Sequence, residues 1–223
     1  MPLREITGPT GRLEALLDEP REGRSVDAEG LVHRGRPEGI RVAVVFGHPH
    51  PERGGTMHTK VVYQAAKALT RTGSAVLRIN FRGAGASEGS FTGGPGAMED
   101  FRLALDFMSQ RFPGARLWTA GMSFGSWVSM MVGADDPRVS TLIGIACPIS
   151  QYDWERVRLS PKPKFFIHGE RDEVAPLKDI REFYARAAEP KELVVIDGAD
   201  HLFDGKVGDV ADAVEDLLGD WSC

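Results

Sequence analysis

Leu117-Trp118-Thr119-Ala120-Gly121-Met122-Ser123-Phe124-Gly125-Ser126-Trp127-Val128-Ser129-Met130-Met131 reads as a strand, a corner and a helix with no loop residues to spare. The apolar run Leu117 to Ala120 leads straight to Ser123, and the helix that follows puts Trp127, Met130 and Met131 on one face. A serine at the tip of so sharp a strand-to-helix turn is a nucleophile elbow, its backbone held in a strained conformation. The residues two before and two after it crowd each other, and Gly121 and Gly125 leave room because neither carries a Cβ. This geometry lifts the Ser123 hydroxyl out of the sheet. It also points the first N–H groups of the helix, beginning with Phe124, toward any oxyanion formed beside the serine.

The pattern G-x-S-x-G occurs twice. Gly85-Ala86-Ser87-Glu88-Gly89 also fits, but its strand ends near Phe81, an Arg-Gly-Ala turn intervenes, and Gly89, Gly93, Gly94 and Pro95 follow where a helix should open. Ser87 is therefore read as a loop serine, and only Ser123 has both a flanking strand and a flanking helix.

With 223 residues, 42% of them hydrophobic, the chain can bury one sizeable core, and residues 1–223 read as a single domain. The net charge of −5 is modest and the basic residues are scattered, which leaves no electrostatic footprint for nucleic acid. Met1-Pro2-Leu3-Arg4-Glu5 lacks the apolar run of a signal peptide, and no segment approaches the roughly 20 apolar residues that span a bilayer. A cytoplasmic protein without a membrane partner is the expectation. The two cysteines agree: Cys147 lies in an apolar strand pattern and reads as a buried small hydrophobe, and Cys223 falls too late for a prenylation box.

Before Ile40, Leu13-Glu14-Ala15-Leu16-Leu17 and Gly30-Leu31-Val32-His33 look like two short strands forming an antiparallel hairpin at the sheet edge, with His33 on the surface. From Ile40 onward, near-continuous apolar runs alternate with helix-length amphipathic segments, the pattern of parallel strands covered on both faces. Strands are expected at Val42–Phe46, Ala75–Asn80, Leu117–Ala120, Leu142–Ala146, Lys164–Ile167 and Leu193–Ile196. Helices are expected near His58–Thr70, Ala97–Arg111, Phe124–Val132, Leu177–Ala188 and Val207–Leu218. Their order gives a doubly wound, mostly parallel α/β sheet with right-handed crossovers.

Functional groups on such a sheet gather at the carboxyl ends of the strands. There the chain offers Ser123, then His168-Gly169-Glu170-Arg171-Asp172, then Asp197-Gly198-Ala199-Asp200-His201. A serine hydroxyl needs a base to take its proton and an acid to orient that base. His201, in a short loop between the last strand and the last helix, is the candidate base. Asp172 has the place of the acid, with Asp153, one strand earlier, as the alternative. Asp200 is adjacent to His201 but loop neighbours rarely project at each other, Asp197 shapes the turn, and Glu170 and Glu173 read as solvated loop charges.

An oxyanion hole needs two N–H donors. Phe124 supplies one, and the loop after the first parallel strand, Gly47-His48-Pro49-His50-Pro51, supplies the other. Pro49 and Pro51 have no N–H, so His50 is the donor nearest the strand end; its imidazole could instead meet substrate, and His48 is expected to bond backbone locally. His48, His50 and His58 do not fall on one helix face and no Cys or Glu completes a known spacing, so no metal and no cofactor are expected. Arg82 reads as a structural turn arginine.

The set formed by His48-Pro49-His50-Pro51 with Gly54-Gly55-Thr56-Met57, Asn80 to Gly89, Gly121 to Gly125, Ile167 to Asp172 and Gly198-Ala199-Asp200-His201 resembles the small bacterial α/β-hydrolases of the carboxylesterase and dienelactone-hydrolase-like group. The similarity covers roughly residues 40 to 205. It implies an α/β-hydrolase sheet with Ser123 as nucleophile, Asp172 as acid, His201 as base, and the backbones of Phe124 and His50 as the oxyanion hole. Dienelactone hydrolases use cysteine; the serine here points to ordinary ester hydrolysis, with thioesters and lactones as related substrates.

Larger members of that group insert a helical lid where this chain has only Ile149–Lys162, so a minimal lid and an open site are expected. Met57, Met122, Tyr152, Trp154 and Leu202, with Phe91 and Phe124, are the candidate pocket lining, suited to short acyl chains and small alcohol or phenol leaving groups. Two rival readings use the same fold: an amidase or exopeptidase with the same triad, and a ligand-binding protein without turnover. The oligomeric state is not written in the sequence.

Overall fold

The computed structural model describes residues 4–9, 11–20, 24–26, 32–34 and 40–221. Ten strands are found among them: β1 (Glu5–Gly8), β2 (Gly11–Asp18), β3 (Arg24–Val26), β4 (Val32–Arg34), β5 (Val42–Gly47), β6 (Ala75–Ile79), β7 (Arg116–Met122), β8 (Val139–Ile145), β9 (Lys164–Gly169) and β10 (Lys191–Ile196). The helices are α1 (Lys60–Arg71), α2 (Gly93–Arg111), α3 (Phe124–Asp135), α4 (Glu155–Leu159), α5 (Leu177–Arg186) and α6 (Val207–Trp221). Eight strands form one sheet in the order β1-β2-β6-β5-β7-β8-β9-β10, parallel from β6 to β10 and antiparallel at β1 and β2.

Alternation along β5 shows why the sheet is covered twice. Val42, Val44 and Phe46 pack into one core with Val62, Leu69 and Val214 of α1 and α6, while Ala43 and Val45 face a second core with Phe101, Leu105 and Val128 of α2 and α3. A period of two places consecutive side chains on opposite faces, and here both faces are buried, so the strand reads as continuously apolar. Lys164 interrupts that pattern in β9, but its ammonium donates to the carbonyls of Ser160 and Ala188 at 2.7 and 2.8 Å.

The chain leaves β5 for β6 on one side and then returns past β5 to β7 on the other. This reversal opens a crevice at the carboxyl ends of β5 and β7, the switch point where open α/β sheets place their ligands. The loop holding His48 and His50 and the corner at Ser123 border it from the two sides.

Three expectations need correction. Residues 13–17 lie in β2, but the antiparallel partners are β1, register Ile6↔Leu13, and β6, register Ala15↔Ile79, and not residues 30–33. Val32 and His33 belong to β4, which pairs with β3 in a separate two-stranded sheet; Gly30 and Leu31 lie outside the described residues, as does the His33 side chain. Helix α2 opens at Gly93 rather than near Ala97. Pro95 sits in its first turn, where the missing N–H has no intrahelical acceptor to lose. Among the described residues no helix is long and apolar enough to cross a membrane. Between β8 and β9 the chain makes only a 3₁₀ turn, Ile149–Gln151, and the short α4, so this connection supplies no large helical lid over the crevice.

Candidate active site

Ser123 sits between β7 and α3 with φ 53° and ψ −122°, a conformation costly for any residue with a side chain. Its N–H donates to Ile145 O at 2.8 Å, and its carbonyl accepts from the N–H of Ser126 at 2.9 Å. A Cβ at Gly121 would overlap the Gly125 carbonyl, and one at Gly125 would overlap the carbonyls of Gly47 and His48. The corner is thus clamped against β5 as well as against its own strand. The sequence pattern anticipates the first clash but gives no sign of the second, which joins the serine turn to the His48–His50 loop.

His201 comes from the loop after β10. Its Nε2 lies 2.9 Å from Ser123 Oγ and its Nδ1 2.7 Å from Asp172 Oδ2. Asp172 is buried, and its Oδ1 accepts the N–H groups of Val174 and Ala175 at 2.9 and 2.7 Å. An ionised Asp172 therefore fixes the tautomer of His201: Nδ1–H donates to the carboxylate and Nε2 is free to accept the serine proton. Asp153, the alternative acid, is exposed and accepts from its neighbour Glu155 N–H instead. Asp200 caps its own loop, accepting from Leu202 and Asp204 N–H at 3.1 and 3.0 Å.

The two loops that carry Asp172 and His201 are sewn together. Arg171 N–H donates to Ala199 O at 2.8 Å, and Gly198 N–H donates to Glu170 Oε2 at 2.8 Å. Glu170 is exposed, yet it tethers the histidine loop rather than being simply solvated. Glycine is required at Gly169, where a Cβ would stand 2.5 Å from Ala199 O. His168 supports the same loop: its Nε2 lies 2.7 Å from Ala175 O and 3.7 Å from Asp172 Oδ2. Burial lowers its pKa, with the Ala175 carbonyl acting the other way, which leaves a neutral ring with its proton on Nε2. His168 stood in the sequence motif without a role, because nothing in sequence shows where a strand-end histidine points.

On the opposite bank His48 is fully buried, accepting Phe81 N–H on Nε2 at 3.0 Å with Nδ1 2.6 Å from Pro49 O. Burial pushes its pKa down to about 4, so it is a neutral staple between the loops after β5 and β6. His50 lies at the cavity wall with φ −53° and ψ 122°. Its ring meets Phe91 and Phe124 at centroid distances of 5.0 Å, and its Nδ1 is buried without a partner. The N–H groups of Ser126 and Trp127 go to Ser123 O, so Phe124 and Gly125 are the first-turn donors of α3 with no acceptor inside the helix.

A cavity of about 200 Å³ opens over Ser123 and His201, walled by Pro49, His50, Arg53, Phe124, Pro148, Gln151, Tyr152, Val174 and Leu202. Tyr152 and Leu202 are thus where the sequence reading puts them, with Tyr152 stacked on Trp127 at 4.4 Å. Met57, Met122 and Trp154 are not in the lining. Met57 and Met122 are fully buried, and Trp154 packs on Phe183 in the core. Phe91 stands behind His50 rather than at the wall. Arg53 and Gln151 were not expected there. Arg82 is structural as read: its guanidinium and N–H bond the buried Asp100 at 2.7 to 3.0 Å, and the guanidinium also donates to the exposed Glu99 at 3.0 Å. Cys147 is buried and its thiol is pushed up to about 12 by desolvation. Among the described residues no cluster of His, Cys, Asp and Glu could hold a metal ion. A wider cleft of about 530 Å³ between β10 and α6 is lined by Glu192, Asp197, Lys206, Asp209, Asp212 and Asp216, with no Ser, Cys or His among its described lining residues.

Residues 41–161 match the family described as serine aminopeptidase, S33. The chain is 33% identical over 98% of its length to an uncharacterised protein of Rickettsia prowazekii (strain Madrid E), of which it covers 89%. In three dimensions it is similar to a Xanthomonas campestris α/β serine hydrolase described as without lid, with TM-score 0.85, 30% identity, and coverage of 99% of this chain and 94% of that one. The esterase domain of a Rhodothermus marinus protein shares the fold at TM-score 0.72 and 22% identity, over 98% and 95% of the two chains.

Proposed function

Because the chain belongs to the serine aminopeptidase S33 family and has the α/β-hydrolase fold, we propose that this hydrolase cleaves small carboxylic esters through an acyl-enzyme on Ser123. The observation that carries the reading is the unbroken relay from Ser123 Oγ through His201 to Asp172, at 2.9 and 2.7 Å. His201 Nε2 takes the hydroxyl proton as Oγ attacks the ester carbonyl, and the same proton then goes to the departing alcohol. Water repeats the sequence on the acyl-enzyme: His201 accepts its proton, the hydroxide oxygen attacks, and the carboxylic acid leaves as Ser123 recovers its proton. Negative charge on the carbonyl oxygen falls to the N–H groups of Phe124 and His50 in each half-reaction.

The cavity is smaller than the roughly 300 to 1,000 Å³ typical of drug-sized ligands, which supports short acyl chains. Its lining also bears on the amidase alternative. An aminopeptidase must hold a free α-ammonium, and a carboxylate is the natural partner for it; among the described residues no Asp or Glu lines the cavity. Comparing 4-nitrophenyl acetate and butyrate with aminoacyl 4-nitroanilides tests the choice. Ester kcat/KM should exceed anilide kcat/KM by orders of magnitude, with multiple turnovers. Efficient anilide cleavage would overturn the ester reading, and stoichiometric binding without turnover would point to a receptor.

A further inference from the structure

We propose that Arg53 makes the cavity over Ser123 selective for esters that carry a carboxylate, an inference that rests on the ester reading and names its substrate class. Arg53 ends the 3₁₀ turn Pro51–Arg53, whose next residue, Gly54, takes φ 80° and donates its N–H to Pro51 O at 3.0 Å. The N–H groups of Arg53 and Gly55 both donate to His50 O at 3.1 Å. The turn that follows His50 therefore also sets where the Arg53 side chain starts.

The side chain itself is exposed, and among the described residues it has no ion pair and no hydrogen bond. This contrasts with Arg78, Arg82, Arg138 and Arg158, each of which is paired with a carboxylate. No acid lines the cavity to neutralise Arg53. Asp172 stands behind the His201 ring with both oxygens already accepting, Asp200 is turned to its own loop, and Glu52 and Glu173 are exposed outside the lining. His50, which lines the same cavity, is held toward its neutral form by burial and then by Arg53 itself, with Glu52 acting the other way. Arg53 and Tyr152 both line the cavity, and the Arg53 charge acts against the larger effect of burial on the Tyr152 hydroxyl. A guanidinium with no protein partner among the described residues, exposed in the lining of the cavity over Ser123, is matched by a planar carboxylate on the substrate. That carboxylate could sit on the acyl side or on the leaving group.

Two pairs of esters separate these sources: 4-nitrophenyl hemisuccinate against 4-nitrophenyl butyrate, and 4-acetoxybenzoate against its methyl ester. The native protein should prefer the charged member of at least one pair. In Arg53→Gln the charged-to-neutral ratio of kcat/KM should fall about tenfold, mostly through KM, with part of it restored in Arg53→Lys. The preference should also shrink as salt rises, because the guanidinium is exposed. Turnover of the neutral esters with no charged preference, or a ratio unchanged in Arg53→Gln, overturns this inference alone. Failure of every ester in both pairs overturns the ester reading together with it.

Discussion

Acidifying from pH 7 to 4.5 should cost the folded chain roughly 2 to 3 kcal/mol through His48 alone. The imidazole is fully buried, accepts Phe81 N–H on one nitrogen and faces Pro49 O with the other. Its pKa falls from 6.5 to about 4 on folding, burial being the largest cause. A lowered histidine pKa means that below pH 6.5 the unfolded chain takes up a proton that the folded chain refuses. Stability is therefore full above that pH, declines as pH falls toward 4, and levels off beneath it. The whole shift corresponds to about 3 kcal/mol, with about 2 already lost at pH 5. Other groups titrate over the same range, so the measurement is a difference. Urea unfolding of the native protein and of His48→Gln, compared at steps between pH 7 and 4.5, cancels the shared part. Gln keeps an acceptor for Phe81 N–H but does not titrate. The native curve should fall more steeply than the variant curve by about 2 to 3 kcal/mol. Parallel curves, within about 1 kcal/mol across the range, would refute the reasoning that His48 is folded in neutral.

Two further outcomes are expected. Among 4-nitrophenyl esters, kcat/KM should be highest between acetyl and butyryl and fall with longer chains, because the cavity is only about 200 Å³; a steady rise toward palmitoyl would contradict that. Asp100→Ala should destabilise the fold by about 2 to 4 kcal/mol in urea unfolding, since it leaves the largely buried Arg82 guanidinium with only the exposed Glu99 as partner; a loss below about 1 kcal/mol would show the pair to be dispensable.

Features that depend on local chain geometry were legible in the sequence. The Gly-x-Ser-x-Gly corner needs room that only two glycines give, and continuous apolar runs separated by helix-length segments admit few sheets. The positions of Ser123, Asp172 and His201 at three strand ends followed from element order, and the structure brings those side chains into contact. What depends on side-chain direction was not legible. Met57, Met122 and Trp154 stand beside the right loops in sequence, yet Met122 lies in the core with Phe46 and α1, and Trp154 turns toward Phe183. Glu170 reads as a solvated loop charge and Arg53 has no role in the sequence reading, because only the fold shows the one bonded to Gly198 and the other in the cavity. The partner of β2 was misread because strands of three to five residues carry too little pattern to fix pairing.

The central claim is that one hydroxyl, activated by one histidine, performs the chemistry. Labelling the native protein and Ser123→Ala with a fluorophosphonate, mapping the adduct, and measuring ester turnover of both tests it directly. A single adduct on Ser123, and a drop in kcat of about 10⁴ to 10⁶ in a variant that unfolds like the native protein, is the expected result. An adduct elsewhere, or a Ser123→Ala protein that hydrolyses esters at the native rate, would contradict it.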